Sequence, residues 1–239
     1  MIGFSIGLPP LWNIETGESG IGVFGLMDQG SNNGRGIVPA PPSPWTRMYA
    51  GWESPTQAYF GTSIRLTSRN ENQLFRIFIN ESEYFLIENR DNTVRDGISL
   101  DSIRYLMAEN SGDNIYPPYI EVLQDSTGLE KHENGVVISV PNYDIGLPAS
   151  GLLIWHIDET VIHPGLNDYS VNSNLFRLGV DLEEADGAQD IGYPFFFMFN
   201  DPTDGYFGDL RFNGNTKYEL SNPGMEGITS AFGPFPHAS

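Results

Sequence analysis

The sequence predicts an α+β fold that is predominantly antiparallel β, with a few short helices and long ordered loops. Three observations lead to this prediction. Runs of aromatic and β-branched residues recur along the chain between polar turn residues, which is typical of neighbouring antiparallel strands. Segments with helical periodicity are few. Glycine and proline are plentiful, at 27 and 17 of 239 residues, so loops and turns take up much of the chain.

The first part of the chain is predicted to be loop with one short helix. Residues 13–44 are dense in glycine, serine, asparagine and proline, which indicates irregular structure. The stretch PWTRMYAGW (44–52) predicts a helix, because Pro44 suits the first helical turn and Ser43 suits the cap before it. Gly51 is expected to end this helix.

Strands follow from residue 58 onward, where the apolar period changes to two. The predicted strands are AYFGTSIRLTS (58–68), QLFRIFIN (73–80), EYFLIENR (83–90), GVVISVPN (135–142), GLLIWHID (151–158) and LGVDLEEAD (178–186). A second helix is predicted over SLDSIRYLMAEN (99–110), capped by Ser99 or Asp101. The sequence has no internal repeat, which favours a single domain over residues 1–239.

Composition and charge exclude several classes of partner and of chemistry. The net charge is -19 with only two lysines, whereas nucleic acids and anionic membranes require a basic surface. The chain has no cysteine, which removes disulfides, thiolate metal sites and cysteine nucleophiles. No apolar run approaches the ~20 residues of a membrane span, and these residues lack a signal-peptide pattern. Such acidity favours hard cations, calcium above all.

The stretch IGFSIGLPPLW (2–12) can be aligned with the spacing of a zinc-protease active-site helix, but it lacks the metal ligands. In the pattern HExxHxxGxxD, two histidines one turn apart bind the metal, the glutamate activates the bound water, and the chain turns at the glycine toward a third ligand. With the glycine at Gly7, the second histidine falls at Phe4, the glutamate at Met1 and the third ligand at Pro10. The first histidine would precede the chain. The sequence therefore predicts neither zinc nor peptidase activity.

Several motifs follow one another in an order that resembles a known family. They are GLPPLWNIETGESGIGVFGLMDQG, PAPPSPWTRMYAGWESP, YFLIENR, LPASGLLIWHIDE and GVDLEEADG. In sequence and order they resemble the immune inhibitor A-like metallopeptidases (peptidase family M-six), from the active-site helix onward. The resemblance covers most of residues 1–90 and 144–228. It implies the C-terminal part of a metzincin-like peptidase domain, an extracellular or secreted location and structural calcium, with an inserted segment at about residues 91–146.

Five residues in these motifs are candidates for a site. By the resemblance, Met27 stands where the methionine turn underlies the zinc, and without zinc we expect it to fill core space. Alternation along a strand places His156 and Asp158 on one face, and likewise Glu88 and Arg90. We expect a structural hydrogen-bond network at His156 and Asp158, with a catalytic histidine–carboxylate pair as the alternative. At Glu88 and Arg90 we expect a buried or half-buried ion pair, with substrate contact as the alternative.

Two acidic loops are candidate calcium sites, EEADGAQD (183–190) and NDPTDGYFGD (200–209). Calcium takes six to eight oxygen ligands, and the glycines of these loops let backbone oxygens converge. The candidate ligands are Glu184, Asp186, Asp190, Asp201, Asp204 and Asp209. Neither loop has the EF-hand spacing, and a solvated acidic turn is the alternative.

Three functions follow from these observations. The first is a non-catalytic relative of the secreted peptidases, a calcium-stabilised structural or interaction module. The second is a self-assembling extracellular structural or adhesive protein, such as a filament subunit, with carbohydrate binding as a variant. The third is the C-terminal portion of an active zinc peptidase, or a hydrolase with another acid–base chemistry. The expected partners are copies of the chain or other segments of a larger secreted protein, and neither nucleic acid nor membrane insertion is expected.

Overall fold

The computed structural model of the protein describes residues 2–36, 38–59, 61, 63–67, 73–95, 98–99, 130–140, 142–147, 151–174 and 176–183. These residues combine α and β structure, with a sheet of mostly antiparallel strands and few helices, which confirms the predicted α+β class. The helices are α1 (Ile2–Ser5), α2 (Pro44–Tyr49) and α3 (Glu159–Gly165), and 3-10 turns span Gly22–Phe24, Gln29–Gly36 and Tyr143–Gly146.

A five-stranded sheet with the strand order β1-β2-β3-β8-β9 forms the centre of the fold. The strands are β1 (Thr56–Gln57), β2 (Phe75–Phe78), β3 (Glu83–Arg90), β4 (Thr93–Arg95), β5 (Ile98–Ser99), β6 (Glu130–Lys131), β7 (Val137–Ser139), β8 (Gly151–Asp158) and β9 (Val180–Leu182). In the sheet, β1 pairs with β2 in parallel, whereas the pairs β2–β3, β3–β8 and β8–β9 are antiparallel. Two small hairpins, β4–β5 and β6–β7, accompany it.

The two faces of this sheet differ because β3, and β8 as far as Ile157, alternate between buried and half-buried residues; Asp158 at the end of β8 is buried as well. We call the buried side the inner face. It includes Tyr84, Leu86, Glu88, Arg90, Leu153, Trp155, Ile157, Val180 and Leu182. The opposite side is the outer face, and its apolar members are half-buried. They are Phe75, Ile77, Phe85, Ile87, Leu152 and Ile154.

The hydrophobic core lies between the inner face and the N-terminal part of the chain. Trp155 and Leu86 of the sheet belong to the same buried cluster as Met27, Phe24 and Trp45. Helix α2 begins as the sequence predicts: Ser43 is its N-cap, whose hydroxyl accepts from the Thr46 N–H at 3.2 Å. The cap satisfies a backbone donor that the helix itself leaves unpaired.

Three parts of the structure bear on the predicted elements. The strand predicted over 58–68 is wrong, because the described residues of that range lie outside strands and only Thr56–Gln57 pairs with β2. Most of the described residues there are exposed, Tyr59 by 70%, whereas Ala58 is buried, so the alternating pattern does not present a continuous buried face. Helix α3 was not predicted from the sequence. The helix predicted over 99–110 lies outside the described residues except for Ser99, which ends β5.

Candidate functional site

Helix α1 ends in a tight turn directly above Met27. The Gly7 N–H donates to the Phe4 carbonyl and the Leu8 N–H to the Gly3 carbonyl, each at 3.0 Å. This is the Schellman arrangement, and it needs the positive φ of 86° that glycine adopts freely at residue 7. A Cβ on Gly3 would lie 2.6 Å from the Met27 Sδ atom. The helix backbone therefore rests on the methionine side chain, which is fully buried.

Phe4 and Pro10, the two positions that the predicted motif alignment would place at metal ligands, carry side chains without ligand atoms. Phe4 is 37% exposed and packs edge-to-face on Trp12, with ring centroids 5.5 Å apart. Pro10 is buried, and the next residue, Leu11, donates its N–H to the Met27 carbonyl at 3.0 Å. The segment after the helix thus packs against the turn at Met27 by backbone hydrogen bonding as well as by apolar contact.

Asp28, the residue after Met27, is a buried carboxylate with five hydrogen-bond donors. The donors are the Ser19 hydroxyl and the N–H groups of Gly20, Ile21, Gly22 and Gln29, at 2.7–3.1 Å. Burial raises the pKa of Asp28 to about 7, although the hydrogen bonds act to lower it. Asp28 therefore holds the 19–22 loop against the turn that follows Met27. The sequence analysis missed Asp28. The sequence feature that could have indicated it is the preceding run SGIG (19–22), whose glycines allow successive N–H groups to converge on an acceptor.

Glu88 lies at the centre of a buried network of charges on the inner face. It forms ion pairs with Arg90 at 3.1 Å and with Arg47 of α2 at 2.8 Å. Its Oε1 atom also accepts from the Trp155 indole N–H at 3.2 Å. Burial raises the pKa of Glu88, but the charges of Arg90 and Arg47 outweigh burial and hold that pKa below its ordinary value. Glu88 is therefore a buried carboxylate anion.

The same network continues to two further carboxylates. Arg90 donates to Asp144 Oδ1 through two nitrogens, at 2.7 and 2.5 Å. Arg47 pairs with Glu53 at 2.6 Å and donates to the Pro42 carbonyl at 2.7 Å. The Arg90 guanidinium thus donates to two carboxylates of the protein itself, Glu88 and Asp144. This supports a structural role for Arg90 over substrate contact. Arg47 and Asp144 were not anticipated, because their partners lie 41 and 54 residues away in sequence.

His156 and Asp158 do not contact each other, although both lie on β8. The His156 Nε2 atom is 3.3 Å from Glu83 Oε2 across the outer face. Asp158 instead caps α3, accepting from the Thr160 N–H at 2.9 Å, and pairs with Arg177 at 2.8 Å. The alternative of a histidine–carboxylate catalytic pair at these two residues is therefore not supported by the geometry.

His156 faces Asp181 on the neighbouring strand β9. Burial, and then the charge of Glu183, raise the pKa of Asp181 to about 6, while His156 acts to lower it. Glu83, His156 and Asp181 thus form a polar row along one end of the outer face. In the part of the chain that the structure describes, no group of three or more His, Cys, Asp or Glu side chains could hold a metal ion.

The six candidate calcium ligands lie outside the described residues. They are Glu184, Asp186, Asp190, Asp201, Asp204 and Asp209. Glu183, the last described residue, still belongs to the sheet, since its N–H donates to the Ile154 carbonyl at 2.9 Å. The calcium prediction for these loops therefore stays a prediction.

Comparison of the chain with protein-family models, with curated proteins and with solved structures gives no match. Among the described residues, no helix has both the length and the apolar character needed to cross a membrane. The resemblance to the immune inhibitor A-like peptidases accordingly rests on the sequence motifs alone.

Proposed function

We propose that this chain is a non-catalytic relative of the immune inhibitor A-like zinc metallopeptidases and serves as a calcium-stabilised extracellular structural or interaction module. The observation that carries the proposal is the packing of α1 on Met27. A helix that ends at Gly7 above a buried methionine is what the resemblance implies, and Phe4 and Pro10 stand where two metal ligands would be.

The pairing of β3 with β8 supports the inserted segment that the proposal includes. These strands carry the motifs YFLIENR and GLLIWHID, and they pair over eight residues from Glu83↔Asp158 to Arg90↔Gly151. Antiparallel neighbours are commonly joined by loops of two to five residues. Here the 60 residues 91–150 lie between them, which fits an insertion into a connection that is short in the peptidases.

The chemistry of the motif positions supports the absence of peptidase activity. A zinc peptidase needs two or three imidazole or carboxylate ligands and a general base beside the bound water. Phe4 and Pro10 provide none of these groups. Glu88, a candidate together with His156 and Asp158 for acid–base chemistry without zinc, is held as an anion between two arginines and is buried, so it has no access to a substrate.

The proposal is tested with purified full-length chain by measuring bound zinc and calcium and by casein digestion with and without a zinc chelator. We expect no stoichiometric zinc and no digestion. Zinc at one equivalent together with chelator-sensitive digestion would overturn the proposal. His156→Ala is the matched variant for acid–base chemistry without zinc: digestion that resists the chelator but disappears in this variant would favour a hydrolase built on His156.

A further inference from the structure

The outer face of the sheet is an apolar surface that the described helices leave open. Helix α2 meets the sheet on the inner face, through Arg47 and Glu88, and helix α3 does so through Glu159 and Tyr84. On the outer face, a contact from the described loops is made at one end, where Asn89 donates to the Leu66 carbonyl at 3.3 Å.

Six large apolar side chains occupy this face in register. Phe75 lies opposite Ile87, Ile77 opposite Phe85, and Ile87 opposite Ile154, with Leu152 beside them. Residues that are directly opposite on antiparallel strands share a face and contact each other. A sheet with one face in water alternates between apolar and polar residues, whereas strands that are apolar on both sides are typical of sheets covered on both faces. This sheet belongs to the second kind.

We propose that the outer face is covered by this chain's own segment YPFFFMFN, residues 193–200. The segment is the longest apolar run of the sequence and carries no charge. A contiguous apolar patch of this kind needs a partner, because soluble proteins rarely leave one open to water.

The position of β9 allows the segment 193–200 to reach the outer face. Glu183 is still hydrogen-bonded to Ile154 at the edge of the sheet, beside the apolar patch. The nine residues 184–192 that follow can span about 30 Å when extended. The distance from β9 across β8 and β3 to β2 is three strand spacings, roughly 14 Å. The tether therefore reaches every strand of the outer face, and a tethered segment acts at an effective concentration of about millimolar.

Charge argues against a second copy as the occupant. Glu83, Asp181 and Glu183 lie along the rim of the same face, and the chain carries a net charge of -19. Two copies packed face to face would bring these carboxylates together, and like charges in contact are disfavoured. The uncharged segment 193–200 covers the apolar residues without that repulsion.

The absence of cysteine from the chain allows a direct test by disulfide trapping. Ile154→Cys is combined in the full-length chain with Phe195→Cys, Phe196→Cys or Phe197→Cys, one at a time, and each pair is oxidised in dilute solution. Three consecutive positions are used so that side chains on either side of the segment are tested. Ile138→Cys with Phe196→Cys is the control, because Ile138 is 62% exposed in the β6–β7 hairpin. We expect an intramolecular disulfide with Ile154→Cys in at least one pair and none in the control.

Two outcomes would overturn the proposal: disulfide-linked dimers through Ile154→Cys, which would identify a second copy as the occupant, or no bond in any of the three pairs. Thiol labelling gives an independent measurement. In the single variant Ile154→Cys, changing Phe195, Phe196 and Phe197 to serine should raise the maleimide labelling rate by about tenfold or more. An unchanged rate, with a circular dichroism spectrum that shows the sheet intact, would contradict the proposal.

Discussion

Glu88 and Arg90, two residues apart on the inner face of β3, form a buried ion pair with 3.1 Å between Oε1 and Nη1. Each of them also binds a charge from another element, Arg47 of α2 and Asp144 of the 143–146 turn. Buried charges cost several kcal/mol each unless they are paired and hydrogen-bonded. The pair therefore fixes the position of one helix and one turn on the sheet, since neither can move without leaving a charge unpaired.

Glu88→Gln should lower the free energy of unfolding by about 3–5 kcal/mol, because it leaves Arg47 and Arg90 with one carboxylate each in a buried site. Urea denaturation followed by tryptophan fluorescence measures the loss. Glu53→Gln is the matched control, since Glu53 forms an ion pair with Arg47 whereas Glu88 pairs with both Arg47 and Arg90; its cost should be smaller, about 1–2 kcal/mol. Equal costs for the two substitutions would contradict the assigned role.

The pH dependence of this difference follows from the pKa of Glu88, which the two arginines hold below the ordinary value of 4.5. A carboxyl with a lowered native pKa contributes stability that is fully present above its unfolded pKa and is lost as the pH falls through its native pKa. The gap between the wild type and Glu88→Gln should thus be constant above about pH 5 and shrink in more acidic solution.

Asp28 should tolerate loss of its charge better than loss of its oxygens. Asp28→Ala removes the acceptor of five donors. The Gly22 N–H keeps the Ser19 hydroxyl as an acceptor at 2.9 Å, and the other four donors are left without one, each at a cost of about 1–3 kcal/mol, so we expect a variant that is largely unfolded by circular dichroism. Asp28→Asn keeps an oxygen where Oδ2 accepts four of the five bonds. It should fold, with a smaller loss of stability. The reverse order of severity would show that the charge itself is required.

Because burial raises the pKa of Asp28 to about 7, the difference in stability between the wild type and Asp28→Asn should depend on pH. A carboxyl with a raised native pKa contributes stability that is present below its unfolded value of 3.8 and is lost as the pH rises through about 7. Asp28→Asn does not titrate, so its deficit relative to the wild type should be largest in acid and decrease toward pH 7. A deficit that grows with pH instead would mean that Asp28 is an anion in the native state.

The strands whose alternation meets a buried core were predictable from the sequence. EYFLIENR and GLLIWHID form β3 and β8 at the predicted bounds, because one face of each strand is buried and the period of two fixes which residues it presents. AYFGTSIRLTS has a similar composition but gives no strand in its described residues. Composition alone does not distinguish a run that finds a partner strand from one that remains at the surface.

The site was less predictable, because its contacts join residues that are distant in sequence. The spacing of Glu88 and Arg90 indicated a shared face, but it contained no information on Arg47 or Asp144. The spacing of His156 and Asp158 suggested a pair in the same way. There the turn into α3 draws Asp158 toward Thr160, since a helix start offers unpaired N–H groups to a carboxylate. Local signals of this kind were present in the sequence and outweighed the alternation.

The effect of Gly3→Ala on the free energy of unfolding should change sign when Met27 is replaced by alanine. In the wild type the new Cβ would lie 2.6 Å from the Met27 Sδ atom, and overpacking of a core costs about 1–3 kcal/mol. Alanine favours a helix over glycine by about 1 kcal/mol, so we expect a net loss of about 1 kcal/mol. In a Met27→Ala background the clash is absent and Gly3→Ala should stabilise. A double-mutant cycle from urea melts measures the coupling, and additive effects would show that α1 does not rest on Met27.

Removal of calcium should lower the melting temperature of the chain. A ligand that binds only the folded state stabilises it by RT ln(1 + [L]/Kd), which is about 2.7 kcal/mol when calcium is present at a hundred times its Kd. Thermal melts with and without a calcium chelator test this prediction, and Asp186→Ala and Asp204→Ala locate the site, because the variant in the loop that binds should lose the shift. Glu133→Ala, in the exposed β6–β7 hairpin, serves as the control for a change in net charge and should keep the full shift. A melting temperature that the chelator leaves unchanged would exclude both acidic loops as calcium sites, and an equal reduction of the shift in all three variants would indicate a diffuse response of the acidic surface to counterions.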